Sequence, residues 1–241
     1  MRYIEKHFDT PEVQEHVQEL KRLQLDELSV LNPMVHQGKT GVQLYDRVRS
    51  MSTFAALKKQ MYMEQGGVCC YCGMKLEYPF DPQYRVEHVL PKESHRELVG
   101  EYKNLLLSCR ANREETTIRE DATRKERKKY IHCDEAKGSK EIYYSPLNES
   151  CESAFKYGID GSISSKDAVA EKDIDTLGLN GDYLKSRRKK AIDSLIVDDS
   201  LLPKDDLIAF RNGLQTCDAD GKYAEFYFVL IDVINQLLPA V

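Results

Sequence analysis

No run of about eighteen apolar residues occurs in the 241-residue chain, which argues against a membrane-spanning helix. Residues 1–16 also lack an apolar stretch between a basic start and a small-residue cleavage site, so no secretory signal is read there. A soluble, unexported protein of the cytoplasm, with no membrane partner, is therefore expected. Internal repeats and low-complexity segments are missing as well, which leaves ordinary globular domains as the organising unit. Positive charge is not in excess: the net charge of −5 argues against a protein that coats nucleic acid by itself.

The charge is unevenly spread. Residues 110–140 hold ten Lys/Arg against seven Asp/Glu, whereas residues 146–241 hold eleven against seventeen. Positive potential is thus concentrated near the cysteines, where a phosphodiester would need it. Seven cysteines in a chain with no export signal are a poor disulfide framework, because a cytosolic redox poise keeps thiols reduced. Some of them are expected to bind metal.

Helical periodicity leads from an N-cap at Thr10 and a first helical position at Pro11 through residue 28. Asn32-Pro33 and residues 38–41 read as punctuation, and a second helix runs from 52 to a Gly66-Gly67 stop. Shorter pieces follow: a Cys-rich turn, a strand over 84–90 and another over 105–107. Residues 142–144 and 155–159 favour strand, the latter entering an Asp160-Gly161 hairpin turn. Helices are expected over 167–177, 182–196, 204–214 and 223–238.

Cys69-Cys70-Tyr71-Cys72-Gly73 places a CxxC in a tight turn, the geometry in which two thiolates reach one tetrahedral Zn²⁺ at about 2.3 Å each. Cys109 and Cys133 flank a charged insertion, and four thiolates would close a structural site. The competing reading makes some of them small buried hydrophobes, and His132, beside Cys133, is an alternative fourth ligand. Cys70, Cys151 and Cys217 read as bystanders, the last two in packed segments. Arg85-Val86-Glu87-His88-Val89-Leu90-Pro91 sets a carboxylate and an imidazole side by side where Pro91 ends a strand. Asn104, sixteen residues after His88, opens a second apolar strand and is placed to pin the intervening loop through its amide.

Cys-x-x-Cys-Gly, then acid-His-x-x-Pro, then Asn-Leu-x-x-Ser-Cys resembles a zinc-stapled HNH endonuclease. The usual continuation of that family, Cys-x-x-Cys-Asn-x-x-Lys-Gly, is displaced here. Twenty-three residues separate Cys109 from Cys133-Asp134-Glu135-Ala136-Lys137-Gly138, so residues 110–132 read as an insertion. More widely, the chain is similar to the HNH subunit of retron and Septu-type antiphage systems. The resemblance implies an α+β fold: a ββα-metal core with a four-cysteine zinc staple at 66–140, an N-terminal helical region at 1–65, and a mostly helical C-terminal region with a small hairpin at 141–241.

It further implies His88 as general base, Glu87 and Asp134 as ligands of a catalytic Mg²⁺ or Mn²⁺, and Asn104 as the loop-orienting residue. Cys69, Cys72, Cys109 and Cys133 would hold the structural Zn²⁺. An imidazole with an ordinary pKa near ~6.5 can take a proton from water at neutral pH, and a hard cation suits paired carboxylates. The family usually has Asp or His at the Glu87 position and His or Asn at that of Asp134. Without the insertion, Asn112 would stand in place of Asp134. The implied activity is metal-dependent hydrolysis of DNA, working beside an ABC-like ATPase and, in a retron, a reverse transcriptase with its nucleic-acid product. Structured RNA is the alternative substrate, and a zinc-stabilised adaptor without chemistry the alternative class. The run 124–130 is either a phosphate contact or a solvated loop. Arg187-Arg188-Lys189-Lys190 reads as an exposed helix face, and His95 as a loop histidine. His7, His16 and His36 receive no role.

Overall fold

A computed structural model describes residues 1–77, 84–110, 130–198 and 200–238. Helices surround three two-stranded antiparallel sheets among the described residues, a mixed α+β architecture. The first helix, α1 (Pro11–Arg22), starts as its sequence dictates, with Thr10 extended and Pro at the first position. Val13 and Leu20 are buried on one face, with His16 and Glu19 beside them.

Periodicity carried α1 on to residue 28, but the helix ends at Arg22. Gln24 adopts a left-handed φ of 57°, its N–H bonds the Lys21 carbonyl at 3.1 Å, and the Leu25 N–H bonds the Leu20 carbonyl at 2.8 Å. This pair of bonds is a Schellman ending. Its return in energy is Leu25, which becomes fully buried. Two short helices follow, α2 (Glu27–Val30) and α3 (Pro33–His36).

Residues 38–41, read as punctuation, lead directly into α4 (Gly41–Arg49), a helix that periodicity missed. Thr40 and Gln43 form a capping box there, and the Glu93 carboxylate accepts from the N–H groups of Gly41 and Val42 at 3.0 Å each. The N-terminus of α4 is thereby tied to the loop that follows His88. Gly41 is required by space: a Cβ there would meet the Lys92 carbonyl oxygen at 2.0 Å.

Helix α5 (Phe54–Glu64) packs on α1, and Glu19 of α1 caps it. That carboxylate accepts from Ser52 N and Oγ and from Thr53 N and Oγ1 at 2.7 to 3.3 Å. These bonds outweigh burial and hold its pKa far below the usual carboxylate range, at about 2. A group whose folded pKa is depressed stabilises the fold above its unfolded pKa and loses that contribution as pH falls through the folded one. Glu19→Gln is therefore expected to cost about 1–2 kcal/mol at neutral pH. The deficit should shrink between about pH 4.5 and pH 2, read from urea midpoints across that range.

After α5, Gln65 fastens the next turn to the second strand. Its amide donates to the carbonyls of Val68 and Leu107 at 2.9 and 2.8 Å and accepts from Leu107 N–H at 2.7 Å. Strand β1 (Tyr84–His88) pairs antiparallel with β2 (Leu105–Cys109), with Glu87 opposite Leu106 and His88 opposite Leu105. All five residues of β2 are buried, which explains its unbroken apolar run. Helix α6 (Asp134–Lys137) follows in the chain.

In the C-terminal region the expected hairpin forms from β3 (Lys156–Tyr157) and β4 (Ile163–Ser164). Residues 142–144 form no strand: Asp173 instead accepts from the Tyr143 and Tyr144 N–H groups at 2.8 to 3.2 Å. Helix α7 (Cys151–Ala154) precedes the hairpin, and α8 (Ala168–Thr176) follows it. Helix α9 (Asp182–Ile192) stops short of residue 196, because Ile196–Val197 leaves to pair with Ser200–Leu201.

Arg188, read as part of an exposed face, is only 1% exposed. Its guanidinium bonds the Gly161 and Leu179 carbonyls at 2.7 Å each, fastening the hairpin turn to α9. Helix α10 (Lys204–Leu214) matches its expected span. Helix α11 starts at Tyr227 and not 223 (Tyr227–Leu237). The preceding segment is engaged elsewhere, with Tyr223 N–H on the Gly66 carbonyl at 2.9 Å and Phe226 N–H on that of Gly73 at 2.8 Å.

Candidate metal centres and the cleft between them

The four cysteines singled out by spacing converge. The sulfurs of Cys69, Cys72, Cys109 and Cys133 lie within 4.8 Å of one another, all buried, with Cys72 and Cys109 3.5 Å apart and Cys69 and Cys133 3.8 Å apart. Four thiolates about 2.3 Å from a tetrahedral ion are separated by about 3.8 Å, so the cluster can hold one metal ion. The CxxC turn owes its shape to Gly73, whose φ is 81°, and to bonds between Cys69 N–H and the Met74 carbonyl and between Gly73 N–H and the Cys69 carbonyl. Cys70 N–H bonds the Leu107 carbonyl at 3.1 Å, which sets the turn against β2.

Cys133 is the unusual member. Its φ of 56° is a strained backbone for a residue with a Cβ. It is held by its N–H on the Leu177 carbonyl at 2.8 Å. His132 stands beside the sulfurs, with Nδ1 3.3 Å from Cys133 and 3.5 Å from Cys109, and stacks on Tyr183. Cys70 and Cys151 are buried outside the cluster, while Cys217, expected in packed structure, is exposed.

Beside this cluster lies a cleft of about 830 Å³ whose lining includes Tyr45, Arg49, Arg85, Glu87, His88, Lys92, Asp134 and Glu135. His88, at the end of β1, is almost fully buried. Its Nε2 donates to the Val99 carbonyl at 3.0 Å, and Tyr45 meets the ring edge-on at 4.8 Å. Nδ1 has no hydrogen bond among the described residues, so it keeps its lone pair. Burial lowers the His88 pKa to about 4, with Lys92 and Lys137 adding to the effect, so the ring is neutral at physiological pH.

Glu87 is equally buried. Its Oε1 accepts from Tyr71 OH at 2.7 Å and from Lys137 Nζ at 2.8 Å. Burial and the adjoining Asp134 carboxyl raise its pKa to about 8, against the pull of Lys137. Two carboxyls side by side, one already beside Lys137 and the other beside Arg85, are a pair of oxygen ligands that suits a hard divalent cation. Asp134 reaches this position because its N–H bonds Ser108 Oγ of β2 at 3.3 Å. It also accepts from Arg85 at 3.5 Å.

Asn104 lies at the turn into β2. Its Oδ1 accepts from Leu90 N–H at 2.8 Å, and its Nδ2 donates to the Leu90 and Leu98 carbonyls at 3.0 and 3.5 Å. The loop that carries Val99 under the imidazole is thereby closed. His95 sits outside the cleft lining and bonds Glu141 at 2.8 Å. His16 is an internal tie between Thr53 and the Gly100 carbonyl. Asn112, the run 124–129 and nearly all of the insertion fall outside the described residues.

Three residues of the site escaped sequence reasoning: Tyr71, Lys137 and Tyr45. Lys137 alone carried a signal: it stands at the Lys of the displaced Cys-Asn-x-x-Lys-Gly motif, three residues after Asp134 and so on the same helical face. Tyr71 had no signal beyond lying inside CxxC, and Tyr45 belongs to the unexpected α4.

No protein-family model matches the chain. It is 30% identical over 162 residues to the "Retron Vc95 putative HNH endonuclease" of Vibrio cholerae serotype O1 biovar El Tor, a stretch covering 61% of this chain and 70% of that protein.

Proposed function

With this chain a member of the HNH endonuclease family of that retron protein, we propose that it is a metal-dependent endonuclease that hydrolyses phosphodiester bonds of DNA. The carrying observation is one cleft wall that presents a fixed neutral imidazole, His88, beside the Glu87 and Asp134 carboxyls. In this reading β1, β2 and α6 are the ββα-metal core, within a nuclease module at 66–140 flanked by helical regions at 1–65 and 141–241. Zn²⁺ is the metal of the cysteine cluster, a role suited to four thiolates in a closed site.

The chemistry follows from the placed groups. His88 Nδ1 takes the proton of a water as that water attacks phosphorus, while the Val99 carbonyl, holding Nε2–H, steadies the developing imidazolium. Asn104 keeps that carbonyl in place through Leu90 and Leu98. Arg49, Arg85 and Lys92, all on the cleft wall, contact phosphates without reading sequence. Mg²⁺ or Mn²⁺ held by Glu87 and Asp134 would supply charge stabilisation at the phosphate and the leaving 3′ oxygen.

The retron setting of the relative supports a cytoplasmic antiphage role. There the chain would be the nuclease subunit beside an ABC-like ATPase, with a reverse transcriptase and its product as further partners. Purified protein, alone and with that ATPase, is to be incubated with plasmid DNA and labelled total RNA in Mg²⁺ or Mn²⁺. Divalent-dependent nicking of the plasmid is expected. Asp134→Ala should raise the Mg²⁺ concentration for half-maximal cutting at least about tenfold, through loss of one ligand. Cleavage of RNA alone would replace DNA as the substrate, and cutting that survives Asp134→Ala unchanged would remove that carboxylate from the site.

A further inference from the structure

Lysine is rarely buried completely, because its ammonium gives up hydration that only well-placed acceptors replace. The side chain of Lys137 is nevertheless 1% exposed, as is that of Glu87. Its Nζ lies 2.8 Å from Glu87 Oε1 and donates to the His88 carbonyl at 2.9 Å. One ammonium thus holds the side chain of one residue and the backbone of the next. Tyr71, fully buried in the CxxC turn, donates to the same carboxylate oxygen at 2.7 Å. Both donors take Oε1, and Oε2 is left without a donor among the described residues.

Resting on the nuclease reading above, we infer that Lys137 is a positioning residue. It locks Glu87 and His88 into one relation, with Tyr71 as the second arm, and so turns the remaining oxygen of Glu87 to the service of a divalent cation. Neighbouring strand residues face opposite sides, so a carboxylate and an imidazole in sequence need an outside clamp to serve one cleft. Lys137 touches both from α6, the helix that also carries Asp134.

The sign of one measurement separates positioning from mere charge. Removing a neighbouring ammonium, by Coulomb's law alone, tightens binding of a divalent cation. Losing a partner that orients a ligand does the opposite, by about 10–100-fold in metal affinity or activity. Lys137→Met and Tyr71→Phe are to be compared with the parent by Mn²⁺ binding to substrate-free protein, followed by electron paramagnetic resonance. Steady-state plasmid cleavage gives kcat and KM, with zinc content and Tm as controls of folding.

Lys137→Met is expected to weaken Mn²⁺ about 10–100-fold and to lower kcat with KM for DNA nearly unchanged. Tyr71→Phe should change both in the same direction and by less. A folded Lys137→Met protein that binds Mn²⁺ as tightly as the parent, or more tightly, and keeps its kcat overturns the inference. Should Lys137→Met lose zinc or fail to fold, Tyr71→Phe, which deletes a single oxygen, decides by the same two readouts. A parent that binds Mn²⁺ and is disabled by Asp134→Ala, while the folded test variant matches the parent, sinks this inference alone. A parent that neither binds Mn²⁺ nor cuts sinks the nuclease reading and this inference with it.

Discussion

His88→Ala is expected to lower the single-turnover rate of phosphodiester cleavage by about 10³-fold, within the range of 10²–10⁴ for a positioned general base. Both the protonation state and the orientation of the imidazole are set by the fold. Burial lowers its pKa to about 4, below the ordinary imidazole value expected from the sequence. The proton-accepting form is fully populated at neutral pH, while the driving force for proton transfer is smaller than that of an ordinary imidazole. The Val99 carbonyl holds Nε2 at 3.0 Å and Tyr45 closes on the ring, leaving Nδ1 as the free base. The loss should appear in the chemical step and leave KM for the nucleic acid nearly unchanged, because the proposed phosphate contacts are made by other side chains. Truncation also leaves the Val99 carbonyl unpaired, at a cost of about 1–3 kcal/mol. A thermal scan must therefore accompany the kinetics. A folded His88→Ala protein that cuts at the parental rate removes this residue from the mechanism.

Cys133→Ser should have the largest effect on stability. The parent is expected to contain one tightly bound metal ion per chain, released stoichiometrically when a mercurial titrates the thiols and detected by a chromogenic chelator. Binding at such structural sites is worth about 10–16 kcal/mol in small zinc peptides and is itself folding free energy. Part of the loss is offset here by a hydrophobic core that, among the described residues, draws on all three regions of the chain. A destabilisation of about 5 kcal/mol, or about 10–20 °C in Tm for a protein of this size, is a reasonable expectation.

Cleavage should disappear together with the metal. Tyr71, which lies inside the CxxC turn, bonds Glu87, and Asp134 directly follows Cys133 at the start of α6. Cys217→Ser, at an exposed thiol outside the cluster, should change neither metal content nor Tm. Cys133→Ser protein that keeps a full equivalent of metal and the parental Tm would show that the four sulfurs are not the ligand set.

Much of this protein is local and was legible as such. The CxxC turn, the apolar run of β2, the Asp160-Gly161 hairpin and the span of α10 each follow from the conformational preferences of a few consecutive residues. The pairing of Cys69 and Cys72 with Cys109 and Cys133 could be named because a closed thiolate site needs four ligands, whatever the loop between them. Periodicity failed where a segment traded regular structure for a tertiary contact. Gln24 turns left-handed so that Leu25 can enter the core. Residues 223–226 leave a helical pattern because the carbonyls of Gly66 and Gly73 need donors, and Arg188 goes inward because the Gly161 and Leu179 carbonyls do.

By itself the sequence determined which chemical groups are available, Glu87 and His88 at a strand end and thiolates in a tight turn, since spacing and residue type decide those. Only the tertiary structure decided how they meet. It set Asp134 against Glu87, buried Lys137 between two neighbours and closed Tyr45 over the imidazole. The physical reason is that desolvation and the satisfaction of buried donors and acceptors are properties of a packed volume, to which residues far apart in the chain contribute together.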